Sequence, residues 1–211
     1  QAYAWPIQAQ TIMANKENGM KLIVVDPVQG VYASKADEWV PVRPGTDVGL
    51  IMGMAKVIID KGLYDKDYVE THSVGFDWLE YETLGKGDGI PKTPEWAEAI
   101  CGVPAARIRE LAEELAGAEN VNFFAGQSTT KIPAGEMFAQ VFYTLAFMHG
   151  GMGTPGNYAS WVGLHEGMSG APYVTAGDSS NGAQKNPVNP LTPPSLMVTP
   201  NFAEIQDPGS W

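Results

Sequence analysis

Leu22, Ile23, Val24 and Val25 form a short apolar run that stops abruptly at Asp26-Pro27. Such a run, with two adjacent valines, reads as a strand buried on both faces, as in a parallel sheet. Proline has no N–H to give to a ladder, so the strand ends there. A second run, Trp39 to Val42, ends in Arg43-Pro44-Gly45-Thr46-Asp47. There Thr46 is an expected N-cap and Asp47 suits the positive end of a helix dipole. In open α/β sheets, ligands bind beyond the carboxyl ends of the strands. Two strand ends thus deliver an acid, an arginine and a helix start to one edge, which suits a polar ligand carrying hydroxyls and phosphates.

The spacing of the remaining chain supplies the helices. Ile7, Ile12 and Met13 lie along a short helix that stops near Gly19. Residues 47–61 carry an apolar stripe that ends at Gly62, and 65–72 form a shorter helix. Residues 75–89, rich in glycine, read as turns around Phe76, Trp78 and Leu79. Thr93-Pro94-Glu95 is a strong helix start, with a cap, a proline at the first helical position and then an acid. Pro104 opens another helix, on which Arg109 and Glu113 are spaced to pair, while its Glu-rich stretch 110–119 reads as a solvated face. Val121 to Ala125 is a third strand. It runs into Gly126-Gln127-Ser128-Thr129-Thr130-Lys131 and a helix from about 134 to 149. Helices between parallel strands predict a doubly wound α/β domain over 1–150 with a mainly parallel sheet. After Gly150 no period survives, and 151–211 read as an irregular Gly/Pro-rich extension belonging to a neighbouring domain.

The chain has 211 residues, and 24 acids against 13 Lys and Arg give a net charge of −11. That charge argues against general binding to nucleic acid or anionic membranes. No apolar run is long enough to span a bilayer. Cys101 is the one cysteine, so no intrachain disulfide or Cys-built metal cluster forms within these residues, and a packed thiol is expected. The three histidines, His72, His149 and His165, show no metal-ligand spacing. Each candidate also has an ordinary reading. Asp26-Pro27 is a common turn former, Arg43 to Asp47 a capped helix start, and Gly126 to Lys131 a plain strand-to-helix loop without P-loop spacing.

Taken together, KLIVVDP, ADEWVPVRPGTDVGLIMGMAKVIIDKGLYDKDYVETHSVGFD, PKTPEWAEAICGVPAARIRELA and FFAGQSTTKIPAGEM…TLAFMHGGMGTPG resemble the molybdopterin oxidoreductases of the dimethyl sulfoxide reductase family. The similarity covers about residues 18–156 and matches the third, Rossmann-like domain of the catalytic subunit. The resemblance implies a molybdenum held by two molybdopterin guanine dinucleotides in the full-length protein, and reduction of an S- or N-oxide. The same family also acts on formate, nitrate, arsenate or polysulfide, and a non-catalytic binding module is the rival from another class.

Carried over by motif, Val25, Asp26 and Pro27 would contact the guanosine, and Arg43, Pro44, Gly45, Thr46 and Asp47 would form a second binding loop. Gly126, Gln127 and Lys131 would reach the pterin, with Gln127 and Lys131 lining the substrate pocket. No metal ligand or catalytic residue falls within the chain, so these residues alone are expected to be inactive. The resemblance further implies an iron–sulfur cluster in a preceding region, an iron–sulfur electron-transfer subunit with a membrane anchor, and a periplasmic location or the outer face of the cytoplasmic membrane. The chain departs from sulfoxide reductases where they carry Gly-Trp followed by Gln-Arg. Here Gly126-Gln127 and Thr130-Lys131 replace an aromatic wall and a planar guanidinium with an amide and a point charge. Val28 also stands where the strand-end motif usually has arginine.

Overall fold

The computed structural model describes residues 6–130, 132 and 135–161. The expectations placed on 162–211 lie outside the described residues. In order, the elements are α1 (Pro6–Glu17), β1 (Ile23–Val25), β2 (Glu38–Val40), α2 (Asp47–Lys61), α3 (Lys66–His72), α4 (Phe76–Thr83), α5 (Pro94–Cys101), α6 (Ala105–Gly117), β3 (Asn122–Ala125), α7 (Glu136–His149) and β4 (Tyr158–Trp161). Two 3-10 turns, Ala33–Lys35 and Gln127–Thr130, complete them.

Among the described residues the fold is α/β, with parallel strand pairing among seven helices. Pairing comes in two small sheets. β1 runs beside β2 with Val24 opposite Trp39, and β3 runs beside β4 with Phe123 opposite Ala159. β4 lies past Gly150, so the paired strands continue beyond α7.

The core is built around α2, which packs against α5, α6 and α7. Leu50, Ile51, Met54, Ala55, Val57 and Ile58 are buried along it. Gly49 and Gly53 let α5 approach closely, since a Cβ on Gly53 would lie 2.6 Å from the Ala97 Cβ. α5 begins where the sequence placed it. The Thr93 hydroxyl accepts from Trp96 N–H at 3.2 Å, and Pro94 holds the first turn.

Four local expectations need correction. β1 is half-buried rather than buried on both faces, and Val25 is 41% exposed, because a two-stranded sheet gives it one neighbouring strand and little cover. β2 starts and ends earlier than Trp39 to Val42, although Val40 and Val42 are both buried. Residues 76–83 are helix, not turns. Leu79 and Thr83 are four apart and buried, Phe76 packs against the core, and Trp78 and Tyr81 stay exposed.

The fourth correction concerns the charges on α6. Arg109 pairs with Glu95 on α5 rather than Glu113, and Glu113 takes Lys61 of α2 at 2.5 Å. The acidic face is therefore anchored, not merely solvated. Glu114 holds Lys21, and Arg107 donates through Nε to Glu38 of β2 at 2.6 Å and through Nη1 to Glu110 at 3.0 Å. The Glu38 carboxylate beside it raises the Arg107 guanidinium above its ordinary range.

Candidate functional site

The site is best assembled from the strand ends. At the end of β1, the Asp26 N–H donates to the Val40 carbonyl at 3.2 Å, and the Asp26 carbonyl accepts from the Trp39 indole at 2.8 Å. Asp26 Oδ1 accepts from Val28 N–H at 2.8 Å, an Asx turn that fixes the carboxylate where the strand stops. Asp26, Pro27 and Val25 are all exposed.

The loop after β2 is held more firmly. Arg43 N–H donates to the Cys101 carbonyl at 2.9 Å, and its Nη1 donates to the carbonyls of Ala99 at 2.7 Å and Ile100 at 3.0 Å. Thr46 closes the loop back on Arg43, donating to its carbonyl through N–H at 3.2 Å and through Oγ1 at 2.7 Å. With Pro44 second and Gly45 third at φ 76°, this is the pattern of a type II turn, whose third position suits glycine. The expected side-chain cap is absent. The Thr46 hydroxyl turns back to Arg43, and its carbonyl instead accepts from Gly49 and Leu50 N–H.

Asp47 is the first residue of α2 and is half-buried. Burial pushes its carboxyl up first, its own N–H opposes that, and the nearby Asp26 charge pushes it up further. A folded pKa above the unfolded one means that the neutral acid is the form the fold favours. Its stabilising contribution is complete below the unfolded pKa and is lost as pH rises through the folded value. Asp47→Asn, neutral at every pH, is therefore expected to raise the melting temperature of the ligand-free chain near about pH 7, with the gap closing toward about pH 4. Melting curves across that range check it, and equal melting temperatures at neutral pH would contradict it.

The third loop reaches the same place. Ile132 packs over Gly45, its Cδ1 lying 3.4 Å from where a Cβ would stand. Just before it, the 3-10 turn Gln127–Thr130 follows β3, and the Thr129 hydroxyl donates to the Gly126 carbonyl at 2.9 Å. Gln127 contributes backbone to that turn; its side chain, and Lys131 entirely, lie outside the described residues. The structure thus brings the segment leaving the Gly126 loop onto the Gly45 turn that leads into Asp47, and Asp26 lies within range of the Asp47 charge. Neither Ile132 nor the α5 carbonyls that hold Arg43 figured among the sequence candidates. The signal for the second lay in Cys101-Gly102, a helix end whose free carbonyls invite a cation.

Chemically, the Asp26 and Asp47 carboxylates, whose charges interact, present acceptors. They favour a ligand edge rich in N–H or hydroxyl donors and repel a phosphate placed beside them. Among the described residues no group of three or more His, Cys, Asp and Glu is close enough to hold a metal ion. Cys101 is fully buried, and burial raises its thiol pKa, which suits an inert packed side chain.

The family model for molybdopterin oxidoreductases matches residues 3–208, and the chain belongs to that family. It is similar to trimethylamine-N-oxide reductase of Haemophilus influenzae, 35% identical over 161 residues, covering 76% of this chain and 19% of the relative. It is 41% identical over 145 residues to dimethyl sulfoxide/trimethylamine N-oxide reductase of Cereibacter sphaeroides, covering 68% of this chain and 17% of that protein. Dimethyl sulfoxide reductase DmsA of Escherichia coli is 33% identical over 175 residues, with coverages of 76% and 21%. Among solved structures, acetylene hydratase from Pelobacter acetylenicus superposes with a TM-score of 0.62 at 29% identity, covering 72% of this chain and 20% of that one. The chain spans about a fifth of the length of these relatives. Among the described residues no helix is long and apolar enough to cross a membrane.

Proposed function

We propose that this chain forms one dinucleotide half-site of a molybdenum oxidoreductase acting on an S- or N-oxide. Family membership supports the cofactor class, and the reductases named above support the reaction. The observation that carries the site is the Asp26 carboxylate fixed by the Val28 amide where β1 stops, with the Arg43–Thr46 turn leading into Asp47.

The residues present fit a guanine nucleotide. Guanine offers adjacent N–H donors on its pairing edge, and two carboxylates from separate elements are the acceptors such an edge requires. Donors reaching Asp47 would offset the burial, and to a lesser degree the Asp26 charge, that raise it. Val25 and Pro27 would flank the base, and Pro44 to Thr46 would shape the turn beneath it. The carboxylates repel phosphate, so the pyrophosphate would lie away from them, and Gly126, Gln127 and Lys131 would hold the pterin. The bound group supplies the redox chemistry at molybdenum; these residues bind and orient it.

Gln127 and Lys131 would face substrate, in place of the aromatic and guanidinium of sulfoxide reductases. The likeness to an acetylene hydratase favours a second reading, that the same half-site serves a different substrate. In the full-length protein we assign an iron–sulfur electron-transfer partner with a membrane anchor, on the periplasmic side, from the similarity to dimethyl sulfoxide reductase DmsA.

An experimental structure of the full-length holoenzyme tests the half-site. The guanine edge is expected within hydrogen-bond distance of the Asp26 and Asp47 carboxylates. A nucleotide seated at another strand end would overturn the assignment.

A further inference from the structure

We infer that Arg43 acts as a positioning residue for the nucleotide-binding turn, with Gly102 as the seat of its guanidinium, rather than as a contact to the nucleotide. This rests on reading residues 43–47 as a nucleotide-binding loop.

One nitrogen, Nη1, donates to both Ala99 and Ile100 carbonyls at 2.7 and 3.0 Å. These belong to the last turn of α5, whose carbonyls have no partner within the helix. A cation there also complements the negative end of the helix dipole. The backbone repeats the tie, since Arg43 N–H donates to the Cys101 carbonyl at 2.9 Å. Gly102 makes room for the side chain. It ends α5 at φ 80°, and a Cβ added there would lie 3.3 Å from Arg43 Nε and 3.6 Å from Cζ. On its other side, the Arg43 carbonyl accepts both hydrogen bonds that close the turn, from Thr46 N–H and Oγ1. The turn carries Gly45 under Ile132 and leads directly into Asp47. Arg43 therefore ties the end of α5 directly to the turn, alongside the packing of α2 on α5. Moving the guanidinium frees the turn that leads into Asp47.

A direct nucleotide ligand and a positioning residue predict different behaviour of the turn when no nucleotide is bound. Gly102→Asn unseats the guanidinium, because asparagine tolerates the left-handed backbone while its side chain crowds Arg43. The experiment compares the full-length enzyme with its Arg43→Gln, Arg43→Lys, Gly102→Asn and Asp26→Asn variants, reading guanine released over time after dilution. Positioning predicts release at least about tenfold faster in both Arg43→Gln and Gly102→Asn, with Arg43→Lys close to the parent because one nitrogen serves both carbonyls. Loss in Arg43→Gln with no change in Gly102→Asn would make Arg43 a ligand and overturn the inference. Normal retention in both, with loss in Asp26→Asn, would overturn the inference while leaving the half-site standing. Normal retention in all would remove both.

Hydrogen exchange at the Thr46 amide of nucleotide-free Arg43→Gln separates the two readings, whether or not Gly102→Asn folds. Positioning predicts exchange about tenfold faster, since the turn loosens without any ligand. Unchanged exchange would overturn it.

Discussion

Gly53→Leu is expected to destabilise the chain by about 3 kcal/mol, near the upper end for overpacking. Gly53 lies in the middle of α2, where that helix meets α5. Even a single methyl there would stand 2.6 Å from the Ala97 Cβ and 3.4 Å from Ile108 Cγ2. Ala97 and Ile108 are both fully buried, so neither can swing into solvent. Helix propensity works the other way, favouring leucine over glycine by about 1 kcal/mol. The steric term wins because Ala97 has no rotamer to change and the backbones must part. The same logic makes Gly53→Ala destabilising and predicts that Ala97→Gly in that background recovers much of the loss. Denaturant unfolding of the three variants checks this. A Gly53→Ala protein at least as stable as the parent would show that propensity, not close approach, governs the position. The effect also bears on the site, since α2 carries Asp47 at its first residue and any shift of its axis moves that carboxylate.

How far the sequence revealed the fold depended on whether the signals were local. α2 begins and ends where Asp47 and Gly62 say it should, and α5 starts at its threonine cap, because caps and left-handed glycines act within one turn. α4 was hidden by the glycines at 75, 85, 87 and 89, although Phe76, Leu79 and Thr83 keep helical spacing. The buried reading of β1 failed because an apolar run does not say how many strands or layers will cover it. Arg109 and Glu113 are correctly spaced for each other, yet both find partners on other helices, Glu95 and Lys61, since tertiary approach outweighs a few tenths of a kcal/mol.

At the candidate site, Asp26 and the Arg43 to Asp47 loop were visible as strand-end motifs. The α5 carbonyls under Arg43, and Ile132 over Gly45, were not, because they join segments far apart in the chain. The Thr46 hydroxyl was legible as polar but not in its direction, since closing the proline–glycine turn competes with capping the helix.

The largest functional effect is expected at Asp26. Its carboxylate is fixed through Oδ1 by the Val28 amide and stands at the end of β1, close enough to Asp47 for their charges to interact. Hydrogen bonds to a charged acceptor contribute about 1.5–3 kcal/mol each, so removing the carboxylate from a donor-rich base edge weakens binding by about a hundredfold. The Asx turn is a small part of the fold and the residue is exposed, so Asp26→Ala leaves the chain folded. The most direct measurement is the molybdenum and guanine content of the full-length Asp26→Ala enzyme after gel filtration. Both are expected to fall well below the parent's content while the melting curve of the cofactor-free protein stays in place. Parental amounts of both would show that this strand end does not hold the nucleotide.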